Sequence, residues 1–249
     1  MNKINDYGAM ILAAGLGSRL ETITQNKPKA LVEVDGKPLI EHVIDRIRKT
    51  GIRSVVVNLH HQAEMIREFL SKPAFCDLEI AFSDETSELL DTGGALIGAY
   101  EHLRKHKAIL VHNVDILTDA DLNILLQTHQ LNQHDITLLV GERNTTRKFL
   151  FDQHMQLKGW ANVEKENYRI VENYSYQALI PFAFNGIHVM NPLLLSCRKA
   201  SPCSLIDLYL ELANYHLIKG VNLNYTFWFD VGKPDQVALA NNWYKQKGS

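Results

Sequence analysis

Cysteine is scarce in this sequence: there are three in 249 residues, and no two of them have the CxxC spacing. That spacing and an even count are typical of zinc sites and disulfide frameworks, so we expect reduced thiols here and neither of those features. The chain also lacks an excess of either charge, since it contains 26 Lys and Arg and 28 Asp and Glu. A general nucleic-acid-binding protein needs a basic surface, and the sequence therefore predicts no nucleic-acid partner.

Long hydrophobic runs are missing as well. Residues 173–197 carry no Asp, Glu, Lys or Arg, but two prolines interrupt them and the continuous apolar part spans only 178–184. A helix that crosses a bilayer needs about 20 apolar residues. We therefore expect a cytoplasmic protein with no membrane partner, and the sequence leaves open whether it forms a homo-oligomer.

Strand and helix patterns alternate in the first half of the chain. Short apolar runs predict strands at 8–13, 54–59, 78–82, 108–112 and 136–140. Between them, helical spacing predicts helices at 38–50, 63–70 and 95–106, and Thr118 with Asp121 predicts the cap of a fourth helix. This alternation predicts an α/β fold, a Rossmann-like and mostly parallel mixed sheet with helices on both faces.

The second half has a different pattern. Short strand-like pieces between 143 and 189 predict a mixed extension of the sheet. Ser204 and Asp207 form a capping box before a predicted helix at 205–218, which should stop at Gly220. A late strand at 225–229 and a final helix from Pro234 complete the prediction. No linker or repeat divides the chain, so we expect a single domain over 1–249.

The strongest motif follows the first predicted strand. Gly15 and Gly17 stand where the backbone must turn sharply, and there a phosphate can approach main-chain N–H groups without meeting a Cβ atom. Arg19 and Lys29 add cationic side chains nearby. A dinucleotide fingerprint would need a third glycine where Leu20 stands, and the Gly-Lys-Ser/Thr ending of a P-loop is missing.

Four segments together resemble the sugar-1-phosphate nucleotidyltransferase family: 12–31, 89–94, 184–188 and 228–234. Their order and spacing match over nearly the whole chain. The Leu-Leu-Asp-Thr-Gly-Gly form of the second segment is most similar to the short N-acetylmuramate-1-phosphate uridylyltransferases and to the mannose- or heptose-1-phosphate guanylyltransferases. The resemblance implies the nucleotide-diphospho-sugar transferase fold, with a nucleotide-binding half at 1–142 and a sugar-binding half at 143–249.

The implied reaction joins a nucleoside triphosphate and a sugar-1-phosphate, the two partners, and releases pyrophosphate. The attacking phosphate oxygen is already an anion, so no Ser, Cys or His nucleophile is needed, and catalysis has to come from positioning and cations. The implied cofactor is Mg²⁺, which takes carboxylate and phosphate oxygens. Asp115 ends the fourth predicted strand and Asp230 follows the late one, and the resemblance assigns the metal to these two residues.

The remaining nucleotide-site residues are also implied by the resemblance. Phosphates would be held by Gly15, Gly17, Ser18 and Arg19, and Lys29 would neutralise charge near the α-phosphate. The backbone of Ala13 and Ala14 would help to read the base. Base and ribose would lie against Asp91, Thr92, Gly93 and Gly94, where the two glycines permit close approach.

The Glu-Lys-Pro segment that binds the sugar phosphate in many relatives is not evident here, so Arg143 and Arg147, just after the fifth predicted strand, are the candidates for that role. We expect Glu172 to hydrogen-bond a sugar hydroxyl, and Asn185 and Gly186 belong to the segment that resembles the sugar-pocket strand.

Two alternatives remain open beside this interpretation. A phosphocholine cytidylyltransferase-like enzyme shares the first motif, and the Asp-Thr-Gly-Gly segment argues against it. A non-catalytic nucleotide-sugar-binding regulatory protein is the second alternative, and the presence of Arg19, Lys29, Asp115 and Asp230 together argues against that one. The sequence does not determine the sugar, and for the base it leaves UTP or GTP.

Overall fold

The structure, a computed structural model, describes residues 6–20, 24, 26–171 and 174–247, without the side chain of Ser18. Its strands are β1 (Tyr7–Leu12), β2 (Glu33–Val34), β3 (Lys37–Pro38), β4 (Ser54–Leu59), β5 (Glu79–Asp84), β6 (Ala108–Asn113), β7 (Ile116–Thr118), β8 (Ile136–Gly141), β9 (Arg147–Phe151), β10 (Leu157–Asn162), β11 (Asn167–Ile170), β12 (Ile180–Met190), β13 (Ile218–Asn222) and β14 (Trp228–Asp230). The α-helices of the described ranges are α1 (Leu39–Lys49), α2 (Ala63–Leu70), α3 (Asp91–Gly98), α4 (Tyr100–Leu103), α5 (Leu122–Asn132), α6 (Leu205–Leu212) and α7 (Pro234–Lys247).

Ten strands form one mixed sheet. Along its main path the order is β11-β10-β9-β12-β6-β1-β4-β5, while β8 pairs with β12 and β13 pairs with β8. The strands β6, β1, β4 and β5 run parallel, as the alternating pattern of the first half predicts. The strand β12 runs antiparallel to β6, β8 and β9 and joins this parallel part to the extension formed by the second half. The α/β fold is confirmed.

Both faces of the sheet are covered. All six residues of β1 are buried, which is the pattern of a strand packed on two sides. Ala9 and Ile11 belong to the hydrophobic cluster that includes the apolar face of α1, and Met10 and Leu12 belong to the cluster that includes α6. Successive side chains of a strand point to opposite faces, so one short apolar run supplies both layers of the core.

Several predicted elements differ from those in the structure, because pairing with strands that are distant in sequence determines the conformation there. The predicted helix at 205–218 ends at Leu212, because residues from Ile218 onwards pair in parallel with β8 and include Gly220 in the strand. The N-cap half of the predicted capping box is confirmed, since Ser204 Oγ accepts a hydrogen bond from the Asp207 N–H. The Asp207 carboxylate accepts from the Ser204 hydroxyl and not from its backbone N–H. The late strand is shorter than predicted and spans only β14.

The helix predicted to be capped by Thr118 starts elsewhere. Asp121 is its N-cap and accepts a hydrogen bond from the Asn123 N–H. Thr118 lies instead at the end of β7, where its hydroxyl donates to the Phe227 carbonyl oxygen at 2.8 Å. The prediction of Thr118 as the cap was therefore wrong, because this residue is used in pairing β7 with the 227–230 segment.

The ribbon formed by β7 and β14 brings two distant parts of the chain together. Its antiparallel register sets Asp230 opposite Ile116, the residue after Asp115. The Val231 N–H also donates to the Asp115 carbonyl oxygen at 2.9 Å. The ribbon lies next to the carboxyl ends of β1 and β6, the edge where open α/β sheets bind ligands.

Among the residues that the structure describes, no helix is both long and apolar enough to cross a bilayer.

Candidate active site

The loop after β1 is anchored on one side by a hydrogen bond to β4, and its other side faces a cleft. The Ala13 N–H donates to Asn58 Oδ1 at 2.7 Å, which ties the loop to the end of β4. Gly17 has a φ of +66°, a conformation that favours glycine. An added Cβ at Gly15 would meet no atom of the described residues within 4 Å, so these residues leave the space in front of the Gly15 backbone open. Arg19, one turn further, is exposed.

Asn58 belongs to a buried network that the sequence analysis did not identify as functional. Its Nδ2 donates to Glu85 Oε1 at 2.8 Å, and Glu85 Oε2 accepts from the Leu90 N–H at 3.2 Å. Glu85 is 2% exposed, and burial raises the pKa of its carboxyl above the ordinary value. One signal was available in the sequence: an acidic residue directly after a strand, at the same edge of the sheet.

The Asp-Thr-Gly-Gly segment is the first turn of α3, which begins at Asp91 and not at 95 as predicted. Both Gly93 and Gly94 donate their N–H groups to the Cys203 carbonyl oxygen, at 2.9 and 3.1 Å. An added Cβ at Gly93 would lie 2.6 Å from the Ser204 carbonyl oxygen, and one at Gly94 would collide with that of Ser201. The close approach that these glycines permit is therefore to the 201–204 backbone, which corrects the expected reason for them.

Asp115 and Asp230 come together at the base of the site. The Lys29 ammonium donates to Asp115 Oδ2 and is itself only 8% exposed. Burial and the negative charge of Asp115 together raise the pKa of Asp230 above its ordinary value. Two partly buried carboxylates that repel each other are a donor set that fits Mg²⁺.

The rest of the metal coordination would have to come from outside the chain. The described residues hold no group of three or more His, Cys, Asp and Glu side chains that could bind a metal ion. Mg²⁺ commonly binds to one or two carboxylates, with phosphate oxygens and water completing its shell. The pair is thus suited to a metal that arrives with a phosphorylated ligand.

Two clefts meet beside these carboxylates. The first cleft, of about 200 Å³, is lined by Leu12, Ala14, Gly15, Lys29, Asn58, Glu85, Leu89, Asp91, Thr92, Asn113, Val114 and Asp115. The second cleft, of about 550 Å³, includes Arg19, Arg143, Arg147, Gly186 and Asp230 in its lining. Asp91, Thr92 and Asn113 line both clefts, so ligands bound in the two would be neighbours.

Arg143 is held against the wall of the second cleft. Its guanidinium lies 3.4 Å from the centre of the Trp228 ring, and it donates to Asn185 Oδ1 at 2.8 Å and to the Phe184 carbonyl oxygen at 2.6 Å. Gly186 has a φ of +77° beside Ile116. Stacking on an aromatic face and a planar fork of donors fix such a group for anion recognition.

The predicted site residues fall into three groups. Those that line one or both clefts are Ala14, Gly15, Arg19, Lys29, Asp91, Thr92, Asp115, Arg143, Arg147, Gly186 and Asp230. Four others are in neither lining: Ala13, Gly17, Gly93 and Gly94. Asn185 is fully buried and reaches the second cleft only through Arg143. Glu172 and the side chain of Ser18 lie outside the described residues.

A glycine loop, a pair of carboxylates and two adjoining clefts at the carboxyl edge of a mixed sheet are typical of nucleotide-binding α/β proteins. A family model adds the more specific assignment. It matches residues 8–247 and is described as nucleotidyl transferase, so this chain belongs to the nucleotidyl transferase family.

Curated relatives carry two kinds of name. An N-acetylmuramate alpha-1-phosphate uridylyltransferase of Caulobacter vibrioides is 30% identical over 242 residues, covering 93% of this chain and 94% of its own. The mannose-1-phosphate guanylyltransferase catalytic subunit beta of Drosophila melanogaster is 28% identical over 237 residues. This chain spans 60% of the length of that second relative.

Solved structures share the fold at low sequence identity. HddC from Yersinia pseudotuberculosis superposes with a TM-score of 0.77 at 19% identity, covering 96% of this chain and 99% of its own. A UDP-glucose pyrophosphorylase from Acinetobacter baumanii gives a TM-score of 0.79 at 16% identity, with 97% and 94% coverage. These likenesses confirm the nucleotide-diphospho-sugar transferase fold.

Proposed function

We propose that this protein condenses a nucleoside triphosphate with a sugar-1-phosphate to give a nucleotide sugar and pyrophosphate. The observation that carries the proposal is the meeting of the two clefts beside Asp115 and Asp230. The triphosphate occupies the first cleft and the sugar phosphate the second, so the attacking oxygen and the α-phosphorus share one place. Positioning of this kind supplies a large part of the rate in reactions between two bound substrates.

Cationic side chains make the approach of two polyanions possible. Lys29, buried next to Asp115, neutralises charge close to the α-phosphate, and Arg19 lies at the mouth of the glycine loop. Arg143 holds the sugar phosphate from the side of the second cleft. Donors fixed in advance around developing charge stabilise the transition state without reorganising during the reaction.

Asp115 and Asp230 would hold a Mg²⁺ ion, which would neutralise phosphate charge and help to orient the reacting groups. The carboxylates are themselves held in place by the β7–β14 ribbon and by the bond from the Val231 N–H to the Asp115 carbonyl oxygen.

The position of Glu85 supports a proposal for which nucleotide base the first cleft binds. Its two oxygens each accept one hydrogen bond from the protein, and a carboxylate has capacity for more. A buried acceptor favours a base with a ring N–H, which uracil and guanine possess and neutral cytosine and adenine lack. This agrees with the uridylyl and guanylyl relatives, and it argues against a cytidylyltransferase. We propose UTP or GTP as the nucleotide, with a slight preference for UTP.

Removal of one carboxylate tests the assignment of the metal site. Asp115→Asn should lower kcat for pyrophosphate release at least about 100-fold, because the remaining carboxylate holds the cation weakly and Lys29 loses its partner. The control is Asp235→Asn, an exposed acid in the first turn of α7. Circular dichroism should show both variants folded. Near-normal turnover by Asp115→Asn would contradict the proposal.

A further inference from the structure

The first turns of α3 and α6 supply hydrogen-bond acceptors to each other. The Gly93 and Gly94 N–H groups of α3 both donate to the carbonyl oxygen of Cys203, which lies just before α6. In the other direction, the Leu205 N–H, at the first position of α6, donates to the Thr92 hydroxyl oxygen at 3.0 Å. The first N–H groups of a helix have no partner within that helix, so each of these two segments satisfies donors of the other.

The contact between the two turns is also close. The Cys203 N–H donates to the Leu90 carbonyl oxygen at 3.1 Å, which adds a bond beside those of the glycines. An added Cβ at Gly93 would lie 2.6 Å from the Ser204 carbonyl oxygen, so the backbones of the two turns are in contact. A movement of one turn away from the other would therefore break these hydrogen bonds.

The two turns lie at different parts of the candidate site. Thr92 is in the lining of both clefts, whereas Ser204, Leu205 and Ile206 are in the lining of the second cleft. Leu205 is buried and Ile206 is half-buried, so the start of α6 presents partly apolar surface to a ligand there. The Thr92 hydroxyl thus connects a segment shared by both clefts to the 204–206 wall of the second cleft.

We infer that Thr92 is a positioning residue for the sugar-1-phosphate. Its hydroxyl holds the Leu205 N–H, and through it the 204–206 wall, in the place where that wall contacts the sugar. This inference rests on the proposed function and adds a role that the resemblance does not imply, since the resemblance places Thr92 against base and ribose. Positioning matters at this place because a displacement of about 1 Å between two bound substrates can cost a large part of the rate.

Removal of the hydroxyl tests this role. Thr92→Val keeps the shape of the side chain and leaves the Leu205 N–H without its acceptor. We expect the KM of the sugar-1-phosphate to rise about tenfold, with a change of less than about twofold in the KM of the triphosphate, because the first cleft keeps its other lining residues. Thr92→Ser keeps the hydroxyl and should restore the KM of the sugar-1-phosphate.

Thr50→Val is the matched control. The Thr50 hydroxyl also accepts a backbone N–H, that of Ile52 at 3.4 Å, and Thr50 is buried and lines neither cleft. This variant should lower the melting temperature and leave both KM values unchanged. The comparison separates a loss of stability from a loss of positioning.

A second variant removes the same hydrogen bond from the donor side. Proline has no N–H and is favoured at the first position of a helix, and Ser204 before it has a ψ of 155°, which proline permits. Leu205→Pro therefore removes the donor and keeps the start of α6. The lost leucine side chain has an effect of its own, which a double-mutant cycle separates. Adding Thr92→Val to Leu205→Pro should raise the KM of the sugar-1-phosphate no further, because the bond is already absent.

Three results would overturn the inference. An unchanged sugar-1-phosphate KM in Thr92→Val would refute it and leave the proposed function intact, and a raised triphosphate KM in its place would assign Thr92 to base and ribose. A tenfold rise in the sugar-1-phosphate KM on both the wild-type and the Leu205→Pro background would mean that the hydroxyl acts without Leu205. No nucleotide sugar from the wild-type protein with any pair of substrates would refute the proposed function and the inference together.

Discussion

Single glycines show how one residue type serves different purposes in this site. Gly15 faces open space in front of the glycine loop, whereas Gly94 is pressed against the 201–204 backbone. The sequence predicted both as places where the nucleotide approaches closely. Only the structure distinguishes them, because the segment that contacts Gly94 lies about a hundred residues further along the chain.

The two glycines should respond in opposite ways to an added methyl group. Gly94→Ala should lower the free energy of unfolding by about 1–3 kcal/mol through overpacking, against a smaller gain in helix propensity. Gly15→Ala should leave the melting temperature unchanged and raise the triphosphate KM about tenfold, since the methyl group displaces a phosphate from the backbone donors. Thermal melting and saturation kinetics on both variants measure the difference. A stable Gly94→Ala with a raised KM would restore the original prediction that the nucleotide touches this glycine.

At the scale of elements, β12 and α6 are joined by a polar contact inside the core. The Tyr209 hydroxyl and His188 Nε2 are hydrogen-bonded at 2.5 Å, and both residues are fully buried. Burial lowers the pKa of His188 to about 3, so the ring is neutral in the folded protein. Its Nδ1 has no hydrogen-bond partner in the part of the chain that the structure describes, which leaves the Tyr209 hydroxyl as the one group that satisfies the ring there.

Loss of this hydroxyl should weaken the fold. Tyr209→Phe leaves Nε2 of a buried imidazole unpaired, and we expect a loss of about 1–3 kcal/mol in the free energy of unfolding, measured by urea denaturation. Tyr215→Phe is the matched control, because that side chain is 84% exposed. If the two variants unfold at the same urea concentration, the buried contact contributes nothing.

The same histidine should make stability depend on pH. The pKa of His188 in the folded state lies below its unfolded value of about 6.5. Between these two pKa values the unfolded chain therefore binds a proton that the folded chain does not bind. Its contribution is complete above pH 6.5 and is lost as the pH falls from there towards 3, which amounts to about 2 kcal/mol at pH 5. His188→Gln should flatten the decline in stability between pH 7.5 and 5. An unchanged slope would show that His188 is not the group responsible.

At the scale of the whole molecule, the sequence predicted the parallel part of the fold better than the rest. Buried strands such as β4 and β8 were predicted within a residue or so, because a fully buried strand is a short apolar run between turn residues. Strand β13 was not predicted, and its first residue, Ile218, was assigned to the end of a helix, because this strand depends on pairing with β8 and not on a pattern of its own.

The residues of the candidate site also divide into those that the sequence predicted and those that it did not. Gly15, Lys29, Asp115 and Asp230 follow strands or motifs that can be seen in the sequence, and the structure brings them together. Glu85 and the contact of Gly94 with the 201–204 backbone were missed, since each depends on segments that become neighbours only in the folded chain. Residues whose role depends on packing against distant segments have little local sequence pattern from which that role could be predicted.

The central claim is that this chain transfers a nucleotidyl group to a sugar-1-phosphate. The most direct measurement is a screen of the four nucleoside triphosphates against a panel of sugar-1-phosphates with Mg²⁺, with the products identified by mass spectrometry. The account predicts pyrophosphate and a nucleotide sugar in equal amounts, with UTP or GTP as the nucleotide. Intact triphosphate in every combination, or hydrolysis of the triphosphate with no sugar in the product, would contradict it.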